Sequence, residues 1–220
     1  MNVKVPLLGS LALAGLMVLF AFITAARLPA DAVLPTHWNA SGQPDKFSDA
    51  LTALLFPAGL MVAVGGLLAV IPQIEPLQER LSGSAPLLRA SWIGIALLLL
   101  IIQLTIGLPA YGIAMPVNAI MIGIGLMLVM LGNALPKSRP GFFVGIRTPW
   151  AIMDEDNWIA THRLGGKLMM LAGLVIVIVS ISPVSAEAIG IVVLASVLAA
   201  ALVPFGYSWW LWQKRPKASD

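Results

Sequence analysis

ASWIGIALLLLIIQLTIGLPAYGIAMPVNAIMIGIGLMLVMLGNALP, residues 90–136, runs for 47 consecutive positions without an Asp, Glu, Lys or Arg. Four further stretches, 5–26, 50–74, 168–186 and 188–213, are equally free of charge. A buried helix of about 10–14 residues in a soluble domain has no need of such neutrality, whereas a bilayer span of about 20 residues does. A charge at mid-membrane costs about 2.5–3.5 kcal/mol on insertion scales, which drives charged residues into the connections. The chain reads as an all-α polytopic membrane protein whose function is to be sought in its charged loops.

Composition agrees with that reading. Hydrophobic residues make up 59% and charged residues 10%, against about 45–50% and 25% in soluble domains. Six spans within 220 residues leave little chain for a separate soluble domain. The absence of cysteine excludes both a disulfide framework and a thiolate metal site. The net charge of +3 comes from Lys and Arg flanking the spans, so direct nucleic-acid binding is not expected.

The neutral runs and their punctuation predict about six transmembrane helices, at 5–26, 50–72, 90–108, 116–135, 167–181 and 187–212. The first apolar run exceeds the roughly 7–15 residues of a signal-peptide core, so it is read as a retained helix. Residues 1–110 form an N-terminal three-helix half with an external loop. Residues 111–220 form a C-terminal half with a long cytoplasmic loop, 136–167. With an even number of spans, both termini share a side with the second and fourth loops. That side holds Lys4, Arg80, Arg89, Lys137, Arg139, Arg147, Arg163, Lys167, Lys214, Arg215 and Lys217; the other holds only Arg27 and Lys46. The 11:2 split assigns both termini and the fourth loop of this multi-pass protein to the cytoplasm. Trp209, Trp210 and Trp212 beside Lys214 fit an interfacial aromatic belt.

The external loop, residues 27–49, reads RLPADAVLPTHWNASGQPDKFSD. Pro35, Asn39, Gly42, Pro44 and Asp45 are turn formers, which predicts an ordered turn series or short extended segment. His37, Asn39, Asp45 and Asp49 could be drawn as metal ligands, but one His among scattered carboxylates lacks the paired spacing of a metal site. A hydrogen-bonded loop capping the helix ends is the expectation, with His37, Asn39 and Asp45 as its structural or ligand-binding residues and no metal.

The cytoplasmic loop reads PKSRPGFFVGIRTPWAIMDEDNWIATHRLGGK. Pro140-Gly141 and Thr148-Pro149 forbid one helix across its first half. Asp154 looks like an N-cap, with Glu155 and Asp156 in the first turn. Trp158 and His162 then share a face at i,i+4 beside Thr161, and Gly165-Gly166 predicts a bend before the fifth span. An amphipathic helix lying at the membrane surface is the expectation. Lys137 and Lys167 read as topological anchors. Arg147, framed by Gly145-Ile146 and Thr148-Pro149-Trp150, reads as a fixed fork. An ion pair with residues 154–156 and an external ligand both remain open for it.

The ordered series Asn133, Leu135-Pro136-Lys137, Arg139-Pro140, Gly145 through Trp150, Thr161-His162-Arg163 and Gly165-Gly166-Lys167 resembles the signature of the SdpI family of bacterial membrane proteins. The external LPTHWNASGQPD is similar to the small domain of unknown function often N-terminal in that family, matched at His37, Asn39, Gly42 and Asp45. The two segments cover about half the chain. Gly141 departs from the pattern, which has Asn after Arg-Pro. The resemblance implies immunity to a secreted antimicrobial peptide toxin, with toxin resistance coupled to signal transduction. It also implies a receptor role that holds a cytoplasmic transcriptional repressor at the membrane. Partner binding would then fall to Asn133, Arg139, Arg147, Thr148, Trp150, Trp158, His162 and Arg163, with membrane lipid as surroundings.

Other classes fare worse. His37 and His162 are expected on opposite faces of the membrane, and no HExxH, GxSxG or acidic metal motif is present, so neither enzyme nor cofactor is expected. A small transporter or a lipid- or peptide-binding protein without an immunity role is the alternative. The lack of an intramembrane ionisable residue argues against ion coupling. The two halves could form an inverted repeat, but no residue match supports it. Gln103, Asn118, Asn133 and Ser180 are read as helix–helix hydrogen-bonding groups.

Overall fold

The computed structural model describes residues 2–39 and 41–215; Lys217, counted above for topology, lies outside them. Six helices are long and apolar enough to cross a membrane: α1 (Lys4–Ala25), α2 (Ala50–Ile74), α3 (Gln78–Gly107), α4 (Asn118–Ala134), α6 (Glu155–Ile181) and α7 (Ala186–Gln213). A five-residue helix, α5 (Pro149–Met153), lies in the loop before α6. The predicted all-α membrane architecture holds. Its one sheet among the described residues is an antiparallel hairpin, β1 (Val33–Trp38) and β2 (Pro44–Asp49).

Helix starts follow from local chemistry. The Asp49 carboxylate accepts the Thr52 N–H at 2.9 Å and caps α2. Asp154 accepts from Asp156 at 3.0 Å, with Glu155 and Asp156 at the positive end of the α6 dipole. Ser185 caps α7 through Ala188.

Two spans are longer than the neutral runs suggest. The third begins at Gln78 rather than 90, and the fifth at Glu155 rather than 167. Twenty-seven residues of α6 reach about 40 Å, against a hydrocarbon layer of about 30 Å, so the charged first turns project beyond it. Charge marks the edge of the bilayer, not the end of the helix. The stretch expected as a separate surface helix is therefore the first turns of α6 itself. Gly165-Gly166 does not bend the chain; both lie inside a continuous α6.

The helices form two packed sets, α1–α2–α3 and α4–α6–α7, joined where α3 meets α4. Between α4 and α6 the backbones nearly touch. A Cβ on Gly132 would stand 2.6 Å from the Gly166 carbonyl oxygen, and one on Gly166 would stand 2.6 Å from that of Gly132. Gly125 and Gly173 repeat the arrangement two turns away. Small residues permit this approach, which is how helices gain contact where lipid supplies no hydrophobic drive.

Polar groups tie the spans together. Gln103 donates to the carbonyls of Met17 and Leu54 at 2.8 and 2.9 Å, and Asn118 donates to that of Ser180 at 3.1 Å. Asn133, expected in the same role, is exposed on the last turn of α4. Large apolar side chains such as Leu8, Leu16, Ile191 and Leu202 point outward, as a hydrocarbon surround requires. The hairpin sits at one end of the bundle. The long loop sits at the other, with the described chain ends: Arg215 pairs with Asp154, and Val3 packs against the cluster containing Leu135 and Val144.

Candidate functional site

At the loop end, residues 135–166 fold into a buried polar framework. Trp158 and His162 do share a face, stacked with centroids 4.0 Å apart, but neither side chain is exposed at all. The Trp158 indole donates to the Ser138 carbonyl at 3.2 Å. The Ile146 N–H donates to His162 Nε2 at 2.8 Å, so the ring proton sits on Nδ1, 2.8 Å from the Trp158 carbonyl. Both ring nitrogens are thereby consumed, and His162 organises the loop rather than facing a partner. Gly145 makes this possible. Its φ is +117°, and a Cβ there would stand 2.5 Å from His162 Nε2 and 2.7 Å from Trp158 Cζ2.

A second network joins the loop to α6 and α7. Thr148 caps α5 through the Ala151 N–H and shares a 2.7 Å hydrogen bond with Ser208. Ser208 donates to Asn157 Oδ1 at 2.7 Å, Thr161 donates to the same oxygen at 3.0 Å, and Asn157 Nδ2 donates to the Ser208 carbonyl at 2.9 Å. Thr148, Asn157, Thr161 and Ser208 are all buried, where an unpaired polar group is costly. Trp150 is half-buried, stacked on Trp212 with its edge to Phe205.

The guanidinium groups of Arg147 and Arg163 lie outside these networks, while that of Arg139 donates to the Ser138 carbonyl at 3.3 Å, beside the Trp158 indole. Arg147 is exposed and donates one bond, to the Phe142 carbonyl at 3.0 Å. The ion pair within the loop that was open for it does not form; Asp154 pairs with Arg215 instead. Arg139 is exposed while its backbone N–H and C=O both bond Ser84 of α3. Arg163 and Lys167 are exposed on α6, and Lys137 in the turn that follows α4. Together these form a cationic surface over a locked interior.

Sequence reasoning missed Glu75, the most consequential acid at this end. It is buried at the α2–α3 turn and accepts the N–H groups of Leu77, Phe142 and Phe143 at 3.1–3.2 Å. Gly141 lies against this carboxylate, 3.3 Å from its would-be Cβ. The one local clue is a lone Glu before Pro76, closing a neutral span.

At the hairpin end, His37 Nδ1 and Asp45 Oδ1 are 2.5 Å apart across the strands, and both side chains are solvent-exposed. Asn39 accepts from Ser41 and Gln43 at 3.0 Å and shapes the turn, in which Gly42 has φ +72°. Ser41 reaches Glu187 of α7 at 3.1 Å. The Thr52 N–H, followed by its hydroxyl, holds the Asp49 carboxyl below its ordinary value. The α2 cap is therefore complete above the usual carboxylate range and is lost as pH falls through the lowered value.

Residues 137–208 match the SdpI/YfhL protein family, from the signature loop to the serine that closes the buried network. Residues 12–62 match a domain of unknown function, DUF1648, which contains the hairpin. Over 148 residues, covering 67% of this chain and 69% of the relative, the sequence is 25% identical to the immunity protein SdpI of Bacillus subtilis (strain 168). No solved structure matches the chain.

Proposed function

We propose that this chain, an SdpI/YfhL segment joined to a DUF1648 segment in one six-span bundle, is a non-enzymatic immunity protein of the bacterial plasma membrane. It confers resistance to a secreted antimicrobial peptide met on the hairpin side. The cationic loop end faces the cytoplasm, where it signals by holding a transcriptional repressor at the membrane. The similarity to an immunity protein supports the first part. The observation that carries the second is Arg147, an exposed guanidinium anchored by one bond on a loop held from within by Thr148 and His162. A lysine keeps its charge but loses the planar fork.

Expression in a sensitive host challenged with candidate secreted peptides tests this. Wild type should protect, Arg147→Lys should insert normally yet lose protection or signalling, and Lys137→Arg should be nearly silent. Equal protection by wild type and Arg147→Lys removes Arg147 from the site. No protection against any peptide moves the reading to a small transporter. In the same intact cells, an impermeant thiol reagent should label Ser41→Cys and not Ser82→Cys; the reverse overturns the orientation.

A further inference from the structure

Beneath the hairpin lies a cavity of about 560 Å³. Its walls are the first turns of α2, at Thr52 and Phe56, and of α4, at Val117 and Met121. Ile102 and Ile106 of α3 form the floor, and His37 and Trp38 of β1 form the roof. A smaller cavity of about 210 Å³ continues past Trp38, Val117 and Met121 to Ala186 and Gly190 of α7. The two make one apolar trough that crosses the hairpin end from α2 to α7. Phe56, on its outer wall, is 68% exposed, so the trough opens sideways toward the bilayer.

Charge around the trough is net acidic, with Lys46, the register partner of His37, as a base at the roof. This end of the chain carries Asp31, Asp45, Asp49 and Glu187 against Arg27 and Lys46, a balance of −2. Three of those acids stand beside the lining. Asp45 is bonded to His37, Asp49 follows Ser48, and Glu187 follows Ala186. An acidic rim repels the phosphate of a phospholipid and attracts an ammonium or guanidinium. An apolar trough with such a rim suits the apolar face of an amphipathic helix whose flanks are basic.

We propose that this trough is the docking site of a cationic amphipathic peptide, entering from the outer leaflet beneath the hairpin. The proposal rests on the immunity reading only for its identification of the peptide as a toxin. The groove and its rim stand on their own.

The full chain in phosphatidylcholine nanodiscs provides the test, because it has no native cysteine to compete with a label. A polarity-sensitive fluorophore on Thr36→Cys reports the roof, and one on lipid-facing Leu194→Cys reports partition into the bilayer. The probes are a synthetic Leu/Lys amphipathic peptide of about 18 residues, five helical turns, and its Leu/Glu counterpart. The Leu/Lys peptide should give a saturable shift at Thr36→Cys and none at Leu194→Cys. The Leu/Glu peptide should bind at least about tenfold more weakly. Thr52→Trp, which fills the trough, should abolish the shift, as should Val117→Trp from the opposite wall, both confirmed as helical and inserted. Asp45→Lys with Glu187→Lys should weaken binding about tenfold.

Equal responses to both peptides, or equal shifts at both label positions, overturn the proposal. So does binding that survives both tryptophans. Quenching at Thr36→Cys by brominated lipid that the peptide does not displace assigns the trough to an acyl chain instead. Tight Leu/Lys binding without protection in the host would retain the groove and remove the immunity reading. Protection undiminished by Thr52→Trp and Val117→Trp would do the opposite.

Discussion

At the loop end, Thr148, Asn157, Thr161 and Ser208 satisfy one another in a buried network, and both nitrogens of His162 are occupied. At the hairpin end, the equivalent depth is an apolar trough of about 560 Å³ under two short strands, with its polar groups at the rim. One end has spent its polar groups on fixing a single conformation, and what it offers outward is a cationic skin. The other leaves about 560 Å³ unfilled, against about 440 Å³ beside Arg89 and about 280 Å³ beside Gly145 at the loop end. A buried, fully paired network resists change because each broken bond strands a partner, whereas an exposed hairpin gives way cheaply. Function that depends on shape belongs at the first end, and function that depends on uptake belongs at the second.

The sharpest way to break this contrast is at Gly145. A side chain there would meet His162 and Trp158 and demand a left-handed backbone at once, so Gly145→Val should leave little folded protein in the membrane. Recovery of inserted, monodisperse protein from detergent measures it; near-normal recovery would show that the loop end is not locked. Asn157→Ala comes next. It removes the acceptor of the Thr161 hydroxyl and one partner of Ser208, whose own hydroxyl keeps Thr148, at about 1–3 kcal/mol for a group left unsatisfied. A large fall in the unfolding midpoint is expected, and an unchanged midpoint would mean water replaces the lost bonds. The smallest effect belongs to His37→Gln. The His37–Asp45 pair is exposed, and surface pairs contribute about 0–1 kcal/mol, so thermal unfolding should hardly move. A shift as large as that of Asn157→Ala would erase the distinction between the ends.

The spans were legible because bilayer energetics write themselves as runs without charge. The extra turns of α3 and α6 were not, since helices continue through charged sequence once outside hydrocarbon. Gly165-Gly166 illustrates the limit: a glycine pair signals a bend locally, and only the opposing Gly132 shows it to be a place of close approach. The hairpin reads only as a turn series or short extended segment, because Pro35 and the polar β2 blur strand alternation. In the signature loop the residues were picked out, but not their duties. Trp158 and His162 looked available because their i,i+4 spacing fixes a face without saying what covers it. Glu75 was silent because its main partners lie 67 and 68 positions along the chain.

That same glutamate bears on how such a chain can be assembled from parts. Glu75 belongs to neither matched segment, 12–62 or 137–208, yet its carboxylate holds the backbone at the start of the second. The two segments are therefore not free cassettes. A hybrid joining the front of one relative to the back of another inherits a working loop only if the stretch between them brings an acceptor at this turn.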